Sequence, residues 1–532
     1  MKDIKTKVFY NAKIFTADSQ RAYADTMVVR NGKINWIGKK ENLYQNDLDK
    51  EDLKGKRVLP GFIDAHMHAL FLARDSNRIA CMPPNVRSIK ELQVELIERK
   101  MELNEGECIE GWGYDEGKLE EGRLPTKHDL DQAVLDFPVV ITRSCRHIVA
   151  VNSKALELAG IDKTTKDPEG GEIDRDEKGE PTGILREDAR ELIAEIQTGS
   201  TILEDAELLA EYSSVLFKYG ITTITDAYAR SKPQDYFNIY QLAQEKGLKQ
   251  RTILYYRWRD IKNEGDFQKE KTDKCKELHI GGIKIMADGS VGGKTAWMSS
   301  PYLGDKNNFG FAITNKKELL EAAVFAKKNN IQLVIHAMGE RAIDLVVNTF
   351  YNQKELLGKS SLIRIEHAAM PTKQALKKAY ELNLIFVSQP IFIYAEIETY
   401  LKNLGNDRTK KTYPFKTILT NNIQLAFSSD APATTWPNPV NPFVSLKSAV
   451  TRKAYDGTDT GQKEKIDLET ALQLYTSKAQ QVVGIPKIGK LKEGYSADFM
   501  VLDRDIFTID KEEIDKIQIE KTYMKGELVY KK

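Results

Sequence analysis

Eight short runs rich in β-branched and aromatic residues, separated by stretches with helical spacing, constrain this chain more than any other feature. They are Val58 to Asp64, Gly220 to Asp226, Arg251 to Tyr256, Gly282 to Met286, Ile331 to His336, Leu362 to His367, Leu384 to Ser388 and Ile423 to Asp430. Glu318 to Lys328 and Ala342 to Leu357 are two of the intervening helical patterns. Strands that alternate with helices are joined by crossovers and therefore pair in parallel. Eight such units are what closes a barrel, so the expected fold class is α/β, a (β/α)8 TIM-like barrel.

A barrel of this kind does its chemistry at the carboxyl ends of its strands. His66 and His68 end the first run, His336 the fifth, His367 the sixth and Asp430 the eighth. The chain has only seven histidines, and four of them fall on this one edge. Lys284 sits inside the fourth run and is the hardest of the set to place. In His66-Met67-His68 the two rings lie on one face of a strand, roughly 6 to 7 Å apart along it, within reach of one metal ion. An isolated His-x-His is as readily a chance pairing in a surface turn. The other strand-end ligands shift the weight toward metal.

The two ends of the chain carry a different pattern. Lys7 to Asn11, Thr26 to Arg30 and Lys33 to Gly38 read as short strands, and Asn31-Gly32 between the last two is a hairpin signal. Ala497 to Leu502, Ile519 to Met524 and Glu527 to Tyr530 repeat this at the carboxyl end. Neither set has enough strands to bury a face alone, so together they are expected to form one small β-domain. Residues 76 to about 200 are too long for a loop without structure of its own and read as an inserted subdomain. Ile89 to Leu103 is a helical pattern there, Pro138 to Thr142 a strand, and Gly170 to Asp174 a turn and strand. Arising from the catalytic face, the insertion is placed to cover a pocket.

With 79 basic and 78 acidic residues the net charge is +1, and no basic stripe is present. Nucleic acid and membrane are therefore not expected as partners. A small-molecule substrate is expected instead, with a homodimer left open. Residues 1–5 lead into strand-like sequence without an apolar signal core, and no stretch approaches the ~18 apolar residues of a transmembrane helix, so the expected location is cytoplasmic. Cys81, Cys108, Cys145 and Cys275 are far apart and form no Cys-x-x-Cys pair, which suits free thiols in a reducing compartment.

Taken together, several motifs resemble the amidohydrolase superfamily, in the branch called amidohydrolase family 3, which includes N-substituted formamide deformylases and other metal-dependent hydrolases. They are Pro60 to His68, Gly111-Trp112-Gly113-Tyr114-Asp115, Asn152 to Leu156, Gly220 to Thr223, Lys284 to Ser290, His336 to Glu340, Ile365 to Ala368, Ser429 to Pro432 and Gly489 to Asp498. The likeness runs nearly end to end. It implies a metal-dependent barrel, residues 59–75 and 200–487, with a β-sandwich from residues 1–58 and 488–532 and an inserted α+β subdomain over 76–199.

Carried over residue by residue, the resemblance implies two divalent ions, with Zn2+ the leading choice. His66 and His68 would hold the more buried ion, His336 and His367 the more exposed one, and Asp430 would be both ligand and proton shuttle. Lys284 would bridge them as a carbamate formed with carbon dioxide; a lysine paired with Asp288 is the alternative. A metal lowers the pKa of bound water to about 7, which provides a hydroxide nucleophile. The implied activity is hydrolysis of a C–N bond, N-acyl or N-formyl, in a small molecule. A mononuclear deaminase, a cyclic amide or ester hydrolase, and a non-catalytic metal-binding regulator are the rivals. The deaminase version of the barrel places glutamate three residues after the fifth-strand histidine, whereas here position 339 is glycine and Glu340 follows.

For substrate contact the candidates are Trp112, Tyr114 and His147 in the insertion, with Asp288, Lys294 and Trp297 in the loop after the fourth run. Trp112 could instead be a core aromatic, His147 could cap a turn, and Asp288-Gly289-Ser290 could be only a tight turn. His128 and His279, in charged helical contexts, are expected to face solvent.

Overall fold

The structure, a computed structural model, describes residues 6–42, 49–104, 106–197, 199–357 and 363–532. Leu362, expected to open the sixth strand, and residues 1–5 lie outside these. Eight parallel strands form the central sheet: Phe62–Met67, Ile221–Ala229, Arg251–Arg257, Leu278–Met286, Gln332–Ala337, Ile363–His367, Ile385–Ser388 and Gln424–Phe427. They neighbour one another in chain order. After the last strand the chain returns to the first: the Asp430 amide donates to the His66 carbonyl at 2.8 Å, and the His68 amide to the Ala431 carbonyl at 2.8 Å. The sheet is thereby nearly closed into a barrel. All six residues of the first strand are buried, as a strand covered on both faces requires.

The run expected as one strand, Val58 to Asp64, is two. Arg57–Pro60 pairs antiparallel with Phe499–Leu502 in a sheet of the chain termini, and Phe62–Met67 enters the barrel. Gly61 divides them. A Cβ there would lie 2.5 Å from Thr222 Oγ1, so only glycine lets the chain pass this close to the second barrel strand. The eighth run is likewise shorter than expected, since Ser428 to Asp430 lie past its strand.

The termini build two sheets. One contains Thr6–Tyr10, Thr26–Arg30, Lys33–Gly38 and Asp49–Asp52; the other joins Lys13–Phe15, Tyr23–Ala24 and Arg57–Pro60 to Phe499–Leu502, Ile519–Met524 and Glu527–Lys531. Residues of both pack in one apolar cluster, in which Phe499 stacks on Tyr523 at 4.4 Å and Phe9 meets Phe499 edge-on at 4.9 Å. Asn31 and Gly32 both take positive φ, 49° and 77°, as a two-residue hairpin turn demands. A buried ion pair, Arg251 to Asp498 at 2.6 Å, ties the third barrel strand to this layer.

Residues 79–187 supply a six-stranded sheet: Ile79–Ala80, Ile109–Tyr114, Val139–Arg143, Ile148–Val151, Gly171–Arg175 and Pro181–Glu187. The helix Ile89–Lys100 packs on it, and the Ser88 side chain caps that helix by accepting from the Glu91 amide at 3.2 Å. Among the described residues no helix is long and apolar enough to cross a membrane. His128 is exposed as expected. His279 is not: it is buried within the fourth barrel strand, and burial pulls its pKa down to about 4. The charged residues before it, Lys274, Lys276 and Glu277, belong to the approach to that strand rather than to a helix.

Candidate metal centre

The polar residues at the strand ends converge on one cavity of about 190 Å³, lined by His66, His68, Lys284, His336, His367 and Asp430 together with His147 and residues of the insertion. His66 is the penultimate residue of the first strand, and His68, one residue past its end, precedes the helix Ala69–Asp75. Their ring centroids are 5.4 Å apart. Asp430 reaches between them from a left-handed backbone, φ 54°, with Oδ1 3.3 Å from His66 Nε2 and 3.0 Å from His68 Nε2. His367 is also left-handed, φ 68°. Strained backbone of this sort persists where the surroundings over-determine it, as functional sites do.

Three of the four imidazoles have one nitrogen committed to an acceptor. His66 Nδ1 bonds the Glu366 carboxylate, His367 Nδ1 the Gln389 Oε1 at 2.8 Å, and His336 Nε2 the Gly289 carbonyl at 2.9 Å. Each bond fixes the tautomer and leaves the other nitrogen a lone-pair donor. The partners are themselves held: Arg364 donates to Glu366 and to the Ala65 carbonyl at 2.7 Å, and Gln389 Nε2 donates to Ser428 Oγ at 2.9 Å. Burial lowers the pKa of His66, His336 and His367 well below the usual imidazole value, with nearby Lys284 or other histidines adding to it. Burial alone would raise the Asp430 carboxyl, but His66, His68 and Lys284 outweigh it and hold it below the usual range.

A neutral His66 Nε2 and an ionised Asp430 Oδ1 are both acceptors, yet they face one another at 3.3 Å. Asp430 Oδ1 is buried and has no hydrogen-bond partner. A cation between such groups removes the conflict. The donor atoms of His66, His68 and Asp430 all lie within 4.8 Å of one another, the spread a metal ion spans. The residues present therefore fit a divalent metal. Lys284 is buried beside them without an ion pair to any described residue; burial brings its pKa down to about 8, against the pull of Glu366 and Asp430. The Asp288 pairing is not formed.

The substrate-contact candidates divide. His147 lines the cavity, its ring 5.2 Å from that of His336 and its Nδ1 2.7 Å from Glu187 Oε2. Trp112 and Tyr114 do not line it. They lie on the strand Ile109–Tyr114, where Tyr114 is wholly buried in the insertion's core. Asp288 is spent on backbone: it accepts from the amides of Trp297, Met338 and Gly339 at 2.8 to 2.9 Å, and burial raises its pKa to about 7. It pins the loop to the end of the fifth strand instead of facing the cavity. Trp297 packs against the main core, and neither it nor Lys294 lines the cavity. Sequence reasoning missed Glu366, Arg364 and Gln389. Arg364 and Glu366 carried a signal, two charges alternating in an otherwise apolar strand that ends in a histidine.

The amidohydrolase family model matches residues 50–530. The YtcJ protein of Bacillus subtilis (strain 168) is 29% identical over 544 residues, covering 99% of either chain. The N-substituted formamide deformylase of Arthrobacter pascens is 26% identical, covering 100% of this chain and 99% of that one. Among solved structures, an uncharacterized metal-dependent hydrolase from Pyrococcus horikoshii OT3 superposes with a TM-score of 0.74 at 26% identity, covering 95% of this chain and 99% of its own.

Proposed function

The chain belongs to the amidohydrolase family, and from that premise we propose that it hydrolyses the C–N bond of an N-formyl or N-acyl amine at the His66–His68–Asp430 site. The observation that carries this reading is the pair of buried acceptors, His66 Nε2 and Asp430 Oδ1, turned toward each other. His66, His68 and Asp430 would hold one divalent ion; the free nitrogens of His336 and His367 are the donors for a second. Zinc suits a donor set this rich in imidazole. Such a metal supplies Lewis acidity, which brings the ionisation of water to about neutral pH and polarises a carbonyl.

The chain's own residues do the rest. Asp430, held ionised, takes a proton from the attacking water and passes it to the leaving amine. Lys284, neutral for part of its population near its lowered pKa, can add carbon dioxide at Nζ and release a proton, becoming an anionic carbamate between the two donor sets. His147, oriented by Glu187, faces the cavity as a hydrogen-bonding group for the substrate. The insertion lines one side of the cavity, through residues such as Thr142, His147 and Val149, and so limits the access of bulk water to it. The relative named as a formamide deformylase supports the formyl end of the substrate range. Against the deaminase reading, Glu340 does not line the cavity and instead accepts from the Ser299 amide at 3.2 Å.

Metal analysis of the purified protein, followed by a screen of N-formyl and N-acyl amines before and after chelation, tests this. Hydrolysis that chelation abolishes and zinc restores is expected. Deamination without amide cleavage would overturn it. Lys284→Ala should lose metal and activity, with partial rescue by formate or bicarbonate, whereas full metal content in that variant would remove the bridging role.

A further inference from the structure

A second, smaller cavity of about 30 Å³ opens off the first. The two share His147, His336, His367 and Asp430, so they meet at the candidate metal centre. Beyond that junction the small cavity is walled by Val291, Gly292, Met338, Phe392, Glu396 and Tyr400, all of them buried. Met338 follows the fifth barrel strand, Phe392 lies on the helix Pro390–Ala395, and Glu396 comes directly after that helix. No exposed residue lines the small cavity, so it is a side pocket entered through the main one.

Its walls are apolar or already hydrogen-bonded, with one exception. The Tyr400 hydroxyl bonds that of Tyr413 at 3.0 Å, and Ser290 Oγ accepts from the Gly293 amide at 3.0 Å. Glu396 is 5% exposed, and its Oε1 has no hydrogen-bond partner. Arg143 favours its ionised form but is itself engaged by Glu116 at 2.8 Å and Asp115 at 3.3 Å. Thr434 favours that form too, yet its Oγ1 is likewise buried without a hydrogen-bond partner. An unmet carboxyl in an apolar pocket favours an occupant that hydrogen-bonds to it, and an alkyl end would not. A hydroxyl both donates and accepts, so it suits the carboxyl with or without its proton. Size narrows the choice further. One water-sized sphere takes up roughly 10 to 15 Å³, so the pocket has room for about two heavy atoms.

We propose that this side pocket receives the acyl end of the substrate and, through Glu396, selects a two-carbon acyl group ending in a hydroxyl, as in an N-glycolyl amine. The choice of amide rests on the function proposed above; the pocket's preference for a hydroxyl does not. The test compares kcat/KM of metal-loaded protein on N-glycolylbenzylamine and N-propionylbenzylamine, whose acyl groups are nearly equal in size and differ by a hydroxyl in place of a methyl. The wild-type protein should prefer the glycolyl amide by about 10- to 100-fold, the worth of a hydrogen bond that leaves no buried polar group unmet. The preference should collapse in Glu396→Leu and survive in part in Glu396→Gln, which still offers a donor and an acceptor. A wild-type ratio near one, as expected if the pocket holds an ordered water only, or a ratio unchanged in Glu396→Leu, would overturn the pocket's role while leaving the hydrolase reading standing. A second arm measures calorimetric binding of glycolohydroxamate and propionohydroxamate to the metal-loaded wild type, which needs no turnover and no variant that might fail to fold. If neither amide is cleaved, the hydrolase reading falls, and tighter binding of glycolohydroxamate still supports the pocket. Equal affinity for the two, or binding of neither, overturns it.

Discussion

The floor and the roof of the cavity handle charge in opposite ways. The floor, made by barrel strand ends, buries its candidate ligands, and burial favours the neutral imidazoles of His66, His336 and His367. His66, His336 and His367 are each aimed by a hydrogen bond to a buried acceptor, as Glu366 aims His66 and Gln389 aims His367. The roof, shared between the insertion (Arg78, Arg146 and Arg190) and barrel segments (Arg74, Arg230 and Arg257), is a set of guanidiniums held by carboxylates, with Glu191 serving two at once. A rigid β scaffold can hold lone pairs in mutual conflict until a metal arrives. Charged side chains over loops instead offer a field and a shape. The floor is suited to bond breaking and the roof to choosing what is broken.

If that division is right, floor substitutions cost turnover or metal and roof substitutions move selectivity. The largest effect belongs to Asp430→Asn, which keeps the size but cannot accept a proton; kcat should fall by at least ~10²-fold in a steady-state assay. Near wild-type turnover there would end the assignment. Next is Glu366→Gln, which weakens the aim of His66 without touching metal or substrate. Metal affinity, read by competition with a chelator, should drop by about 10- to 100-fold. Unchanged affinity would mean that the floor does not depend on its buried supports.

Glu396 tests the boundary between the two. It is buried beside His336, His367 and Asp430 in a small cavity on the far side of the site. Burial pushes its pKa up to about 8, with Asp115 adding and Arg143 opposing. The folded state therefore holds this proton more tightly than the unfolded chain, whose carboxyl titrates near 4.5. The stability it confers is complete below that value and is lost as pH rises from about 4.5 to about 8, by up to ~1.4 kcal/mol per pH unit. Thermal melts between pH 5 and 8 should show wild type losing Tm relative to Glu396→Gln; parallel curves would show that this acid is ionised throughout. The smallest effect is expected at Glu191→Gln. Arg230 and Arg257 hold that carboxyl down to about 2 although burial opposes them, so removing its charge makes the roof more positive. KM for a carboxylated amide should fall a few-fold, with discounting for the one-third exposure of Glu191. A loss of turnover as large as that of Asp430→Asn would break the division between floor and roof.

Periodicity and the identity of strand-end residues made the barrel and the polar side chains converging on its cavity legible, because a strand's side-chain direction follows from local geometry. The pairing of the chain's two ends was legible for a similar reason, since neither set of strands could bury its face alone. Gly61 was harder. Its apolar neighbours, Leu59 and Phe62, look like one strand, and only the approach of Thr222 from a distant segment explains the break. His279 shows the same limit, because charged neighbours in sequence say nothing of the barrel that closes around it. Trp112 and Tyr114 belong to a motif, yet tertiary packing turned Tyr114 into the insertion's core. The six arginines of the cavity come from positions 74 to 257, and nothing local marks them as neighbours. Sequence determined which side chains stand at the ends of strands. Which charges are balanced was decided only when the insertion folded over the barrel, because a charge's state depends on groups brought near it through space, far apart along the chain.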